Sequence, residues 1–212
     1  MPRGFSHLRL PLHLPEGEPL LNFLAMAGDR FYVPDVAPMT ASELLRTSLP
    51  NKRAELVRGV LVVREPAGFR HGAVSATLTN LLAQHVDGQR LGGVLAAGTG
   101  FKLAADPDTV RAPDVAFVRQ DRIPDPEPVG FAELAPDLVV EVLSPDDRPG
   151  ETLAKVSEWL TAGSRLVWVV DPDRRVARVY RPDGSESLLA ESDSLEGEDV
   201  VPGFSCRLGE TL

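Results

Sequence analysis

Hydrophobic and polar positions along the chain switch between two periods, which predicts a mixed α/β protein. Residues 54–65, AELVRGVLVVRE, alternate on both sides of Arg58-Gly59 and predict a β-hairpin. Residues 70–86 place Val74, Leu78, Leu81 and Leu82 at helical spacing, with His71 opening the helix. Residues 91–103 predict two strands broken at Gly98-Thr99-Gly100, and residues 110–118 predict one further short strand. Residues 120–132 contain Pro124, Pro126 and Pro128, so a loop is expected there. Residues 138–143 and 166–170 are nearly unbroken apolar runs, the pattern of strands covered on both faces. Between them, residues 150–162 predict a helix with Leu153, Val156 and Leu160 as its core stripe and Gly163 as its stop. Residues 175–181 alternate as a hairpin partner for the 166–170 strand, Asp183-Gly184 turns the chain again, and 195–208 predict one or two short strands.

Composition adds few constraints. With 212 residues, 43% hydrophobic and 25% charged, the chain suits one soluble domain with a substantial core. Residues 1–38 are proline-rich and without period; they are expected to be an N-terminal extension to a single domain at 39–212, which opens on a capped helix at Thr40 or Ser42. No stretch is long enough to span a membrane, and the short apolar segment at 19–27 is not a secretory signal, so a cytoplasmic protein is expected. The single cysteine, Cys206, excludes an internal disulfide, and His7, His13, His71 and His85 lack zinc-site spacing. The net charge of −9 is unevenly spread: −1 over residues 1–50, +3 over 51–122 and −11 over 123–212. The middle segment carries Arg58, Arg64, Arg70, Arg111, Arg119 and Arg122, a possible local basic face for phosphates.

The chemistry concentrates where acids interrupt apolar strands. Glu141 lies among apolar neighbours in LVVEVL, and burying a carboxylate is costly unless it is paired or holds a metal. Asp114 follows a proline inside VRAPDVAFV, and Lys155 lies on the helix after Glu141. Two carboxylates suit a hard divalent cation such as Mg²⁺ or Mn²⁺, which keeps several waters. A lysine beside it can orient or deprotonate the attacking water or stabilise charge on a phosphate. The chemistry implied is metal-assisted phosphodiester hydrolysis.

These residues, with AELVRG at 54–59, His71, APDVAFV at 112–118, PDLVVEVLSP at 136–145, Lys155, Ala162-Gly163 and LVWVVDP at 166–172, resemble the PD-(D/E)XK nuclease superfamily. More closely, they resemble the Uma-type restriction endonuclease family, over roughly residues 39–212. The resemblance implies a restriction endonuclease-like core, a central mixed β-sheet flanked by helices, with added β-hairpins. It implies that Asp114 and Glu141 bind Mg (or Mn), that Lys155 assists the attacking water, and that Glu55 approaches the metal site. Leu143 stands where the superfamily's short pattern has a lysine two positions after the acid, so Lys155 on the helix takes that place. Periodicity alone makes Lys155 a surface residue paired with Glu151 four positions earlier.

Each candidate has a plainer reading. Glu55 could be a strand acid paired with an arginine, and His71 a solvent-facing first-turn histidine rather than a phosphate contact. Asp146 and Asp147 rival the metal ligands but suit the helix N-terminus. Lys102 is a possible substitute lysine, Asp106 and Asp108 read as turn residues, and Trp159 and Trp168 as core or dimer contacts. The expected function is a Mg-dependent DNA endonuclease, with a homodimer suited to double-strand cutting. The alternatives are a catalytically inactive nuclease fold serving as a DNA-binding or dimeric interaction module, and a hydrolase of another phosphate ester.

Overall fold

Three β-sheets of six, four and two strands, with α-helices on the largest, are formed by the described residues, 37–212, of the computed structural model. Residues 1–36 lie outside the described set, and with them most of the expected N-terminal extension, including His7 and His13. In chain order the elements are α1 (Ala41–Arg46), β1 (Arg53–Val57), β2 (Val60–Arg64), α2 (Phe69–Gln89), β3 (Gly92–Ala96), β4 (Phe101–Ala104), β5 (Thr109–Arg111), β6 (Val115–Arg119), β7 (Leu138–Val142), α3 (Pro149–Thr161), β8 (Leu166–Asp171), β9 (Val176–Tyr180), β10 (Glu186–Ala190), β11 (Ser194–Glu196) and β12 (Ser205–Arg207).

The central sheet has six strands in the order β10-β9-β8-β7-β6-β3. It is mixed: β7 and β8 run parallel and the other neighbours antiparallel. The parallel pair requires a crossover, and α3 provides it. Both faces of β7 and β8 are covered, which accounts for their unbroken apolar runs. On one face Val115, Phe117, Leu138, Val140 and Val142 pack with the α2 stripe Val74, Leu78, Leu82 and Val86. On the other, Ala116, Val118, Val139, Val167 and Val169 pack with Val156 and Trp159 of α3. Alternation along β7 therefore places Glu141 on the same side as Val139, the side that α3 covers.

The second sheet is antiparallel, ordered β2-β1-β5-β4. Its β1–β2 hairpin turns at Arg58 and Gly59, with φ of 50° and 76°. Glycine is needed at 59 because an added Cβ would lie 2.2 Å from that of Pro38. Before the hairpin, α1 has Thr40 as its N-cap in a capping box with Glu43. Among the described residues no helix is long and apolar enough to cross a membrane.

Two expectations need correction. The segment 110–118 is not one strand. Its halves, β5 and β6, belong to different sheets, and the chain crosses between them at Ala112-Pro113-Asp114. The two strands expected within 91–103 are both present, β3 in the large sheet and β4 in the small one. The expected α3 stripe is out of phase. Leu153 is 51% exposed, Leu160 only partly buried, and Val156 and Trp159 carry the burial. Thr152, Lys155, Val156 and Trp159, at i, i+3, i+4 and i+7, form the stripe that faces the sheet and the cleft at its end.

Candidate metal and phosphate site

The site lies where β6 starts, β7 ends, and the first turn of α2 meets the side of α3. A small recess of about 50 Å³ there is lined by residues that include Arg53, Arg64, His71, Asp114, Glu141 and Lys155. Pro113 ends the run into the small sheet, and Asp114 is the first residue to engage β7: its amide donates to the Val140 carbonyl at 3.1 Å. Its side chain then folds back along β7, with Oδ2 accepting from the Val142 amide at 2.8 Å. Asp114 is thus fixed beside Glu141 by the backbone of the residue after it.

His71 continues the buried stripe of α2 toward the helix start, three residues before Val74. It is 7% exposed, and its Nε2 lies 3.1 Å from Asp114 Oδ2. The solvent-facing reading of His71 is therefore incorrect. Ser75 Oγ donates to the His71 carbonyl at 2.8 Å, a local tie that steadies this first turn.

Lys155 is not a partner of Glu151. Its Nζ donates to Glu141 Oε2 at 2.8 Å and lies 3.3 Å from Glu55 Oε1. The second oxygen of Glu141 accepts from the indole Nε1 of Trp159 at 2.9 Å. Glu55 is clamped from its other side: Arg111 Nη1 donates to Oε2 at 2.8 Å and the Ala112 amide to Oε1 at 3.0 Å. Arg111 is itself buried and also donates from Nε to Glu158 Oε2 at 2.7 Å. Glu55 is thus an acid paired with an arginine that also contacts Lys155.

The electrostatics follow from this wiring. Burial alone would raise the Glu55 carboxyl, but Lys155, Arg111 and the Ala112 amide outweigh it and hold the group at about 2. Burial pushes Glu141 up to about 7; the Asp114 and Glu55 carboxylates push the same way, and the Lys155 ammonium only partly offsets them. Burial opposes the Lys155 charge, yet Glu141 and Glu55 raise its pKa above the ordinary lysine value. Lys155 in this arrangement is a cation and hydrogen-bond donor, not a base.

The structure thus brings Asp114, Glu141, Lys155 and His71 into one cleft, with Glu55 in contact with Lys155 but outside the lining. The rivals go elsewhere or take other partners. Asp147 reaches the cleft wall, where it accepts from the Ser144 amide at 2.7 Å and pairs with Arg64 at 3.3 Å. Asp146 is exposed. Lys102 pairs with Glu133 and Asp108, and Asp108 also accepts from the Ala41 amide, so it joins α1 to the small sheet. Trp159 and Trp168 are both fully buried. The expected basic face is largely consumed internally: Arg64, Arg70, Arg111, Arg119 and Arg122 each pair with an acid.

Among the described residues no three His, Cys, Asp or Glu side chains converge as a metal cage. Two carboxylates do converge, Asp114 and Glu141, and that number fits an ion that retains most of its waters. The under-compensated charge of Glu141 is what such a cation would relieve. Three contributors escaped the sequence reading: Arg53, Arg111 and Trp159. Only Arg111 left a signal, a cation inside an apolar strand, which must find a buried partner.

The chain matches the model of the Uma2 family, described as "Putative restriction endonuclease", over residues 41–209. No curated protein matches it. Among solved structures, it is similar to the crystal structure of "a putative nuclease belonging to DUF820" from Anabaena variabilis. The two share 21% identity with a TM-score of 0.72, over 82% of this chain and 97% of the other. That likeness shows a common fold, in agreement with the expected nuclease-type mixed sheet. The chain belongs to the Uma2 family.

Proposed function

We propose that this family member is a metal-dependent endonuclease that hydrolyses DNA phosphodiester bonds. The observation that carries the reading is the Lys155 ammonium bridging Glu55 and Glu141, beside Asp114, in a cleft open to solvent. Asp114 and Glu141 would hold Mg²⁺ or Mn²⁺. The bound ion would supply Lewis-acid polarisation of the phosphate and a lowered pKa for water.

The chain's own residues do the rest. Lys155, kept protonated by its two acids, donates toward the phosphate oxygens and stabilises the charge that grows on them. Glu55, kept ionised by Arg111, holds Lys155 in place through its second contact. His71 and the Val142 amide fix the Asp114 carboxylate, so that its rotamer is set before any ligand arrives. Trp159 does the same for Glu141. A two-fold dimer would place two such clefts on the two strands of a duplex.

The test is cleavage of duplex DNA in Mg²⁺ or Mn²⁺ by the wild type and by Asp114→Asn. Loss of at least about a hundredfold in rate with an unchanged unfolding midpoint is expected. Cleavage retained by the variant would remove Asp114 from the site. The ion-paired state of most arginines favours a second reading, a nuclease fold that binds partners without cutting. Calorimetric titration of the wild type with Mg²⁺ and Mn²⁺ separates the two, since a non-cutting module has no need to bind the ion.

A further inference from the structure

Arg53 and Arg64 stand directly opposite each other on β1 and β2, and both line the cleft. Two like charges paired across strands are unfavourable, so each needs a counter-charge or a purpose. Arg64 has two counter-charges on the α3 side, Asp147 at 3.3 Å and Glu151 at 3.5 Å. Arg53 has one acid, at a longer distance, and is more exposed. Its Nε donates to the Glu65 carbonyl at 3.3 Å, and its Nη1 lies 3.6 Å from Asp114 Oδ1, beyond good hydrogen-bond length. Its side chain is 43% exposed, while Asp114 is 7% exposed. A half-exposed guanidinium therefore sits at the mouth of the recess, beside the one oxygen of Asp114 that neither His71 nor the Val142 amide occupies.

We propose that Arg53 is a second phosphate-binding residue of this cleft, beside Lys155, and that it exchanges partners, leaving Asp114 for the backbone phosphate of a nucleic acid when a divalent cation takes Asp114. This rests on the metal-site reading above. Before the cation binds, Arg53 supplies part of the positive charge that the Asp114 carboxylate needs. Once a cation is there, Arg53 is repelled from Asp114 and its planar fork is free for two phosphate oxygens. Metal and phosphate then bind cooperatively, because each removes a competitor for the other.

The exchange predicts opposite signs for one substitution. Arg53→Gln removes the competing charge, so Mn²⁺ titrated calorimetrically without DNA should bind about threefold tighter or more. The same variant should bind a short DNA duplex in Ca²⁺ about tenfold more weakly. The slope of log affinity against log salt should fall by about one, the signature of one lost phosphate contact. Arg53→Lys keeps the charge but not the fork, so its Mn²⁺ affinity should stay near that of the wild type while duplex binding weakens. A structural role for Arg53 would weaken metal and duplex binding together, and that result overturns the proposal. So does an unchanged Mn²⁺ affinity in Arg53→Gln, whatever the duplex does. If the wild type itself binds no Mn²⁺, the metal-site reading falls and takes the exchange with it; if the wild type binds and only the Arg53 ratio is flat, the exchange alone is lost.

Discussion

Glu55 and Glu141 are the same residue type, both buried, both in contact with the same lysine, and they are shifted to opposite sides of the ordinary glutamate value. Glu55 belongs to the small sheet and is held at about 2; Glu141 belongs to the large sheet and is pushed up to about 7. Burial is nearly equal, 5% and 7% exposure, so it cannot account for the difference. The neighbours do. Glu55 has a second cation, Arg111, and a backbone amide. Glu141 has only a neutral indole donor beside Lys155 and faces the two other carboxylates. The small sheet thus presents a carboxylate satisfied from within the protein, and the large sheet one whose charge Lys155 offsets only in part. The first is suited to holding a side chain in place, the second to taking a ligand.

Removing Arg111 should break the contrast most severely. Arg111→Met keeps much of the volume but leaves Glu55 and Glu158 without their shared guanidinium. Stripping one partner from a buried pair should cost about 3–5 kcal/mol. Urea unfolding at neutral pH measures it. A loss below about 1 kcal/mol would mean that Glu55 does not depend on Arg111 and that the contrast has another source.

The pH dependence of stability should carry both signs in one protein. Glu55 is depressed in the fold, so its contribution is present above its unfolded pKa, near 4.5, and is lost as pH falls toward 2. Glu141 is raised, so the fold binds its proton more tightly than the unfolded chain does. Its contribution is complete below about 4.5 and is lost as pH rises through about 7. Each limb amounts to a few kcal/mol at most, because a tenfold difference in proton affinity between the folded and unfolded chain is worth about 1.4 kcal/mol. In metal-free protein the expected outcome is a stability maximum on the acid side of neutrality, measured by thermal unfolding across pH. Glu141→Gln should flatten the neutral limb and leave the acid limb, and so should saturating Mg²⁺. A neutral limb that survives Glu141→Gln would assign it to another group.

Much of this arrangement is legible in the sequence, and the reason for the rest is physical. Unbroken apolar runs locate β7 and β8, and Arg58-Gly59 locates the hairpin turn, because local sterics and two-sided burial act within a few residues. An acid in an apolar run points to Glu141 and Asp114 for the same reason. The phase of α3 is hidden because two of its inward positions, Thr152 and Lys155, are polar, and a helix whose buried face lines a site does not look amphipathic along that face. The apparent Glu151–Lys155 pair is a false local solution; Lys155 instead reaches acids 14 residues and 100 residues earlier in the chain. Arg53 and Trp159 act only through contacts that cross between elements, and nothing in their own surroundings in the sequence marks them. The split of β5 from β6 is hidden because Pro113 permits both a bend and a continuing edge strand.

The smallest expected effect concerns the one donor that Glu141 does not share with Glu55. Trp159→Phe preserves most of the packing against Phe101 but removes the indole N–H that meets Glu141 Oε1. Glu141 should then be still harder to ionise, and an ion bound there should lose about tenfold in affinity, the usual scale for a partner that orients a ligand. Calorimetry with Mn²⁺ at two pH values reads the outcome. If the defect shrinks at the higher pH, where Glu141 is fully ionised in both proteins, Trp159 acts by favouring the charged carboxylate. If the defect is the same at both, the indole acts by fixing the carboxylate rotamer. If Mn²⁺ affinity does not change at all, the N–H bond is incidental, and the contrast between the two glutamates rests on the charges around them alone.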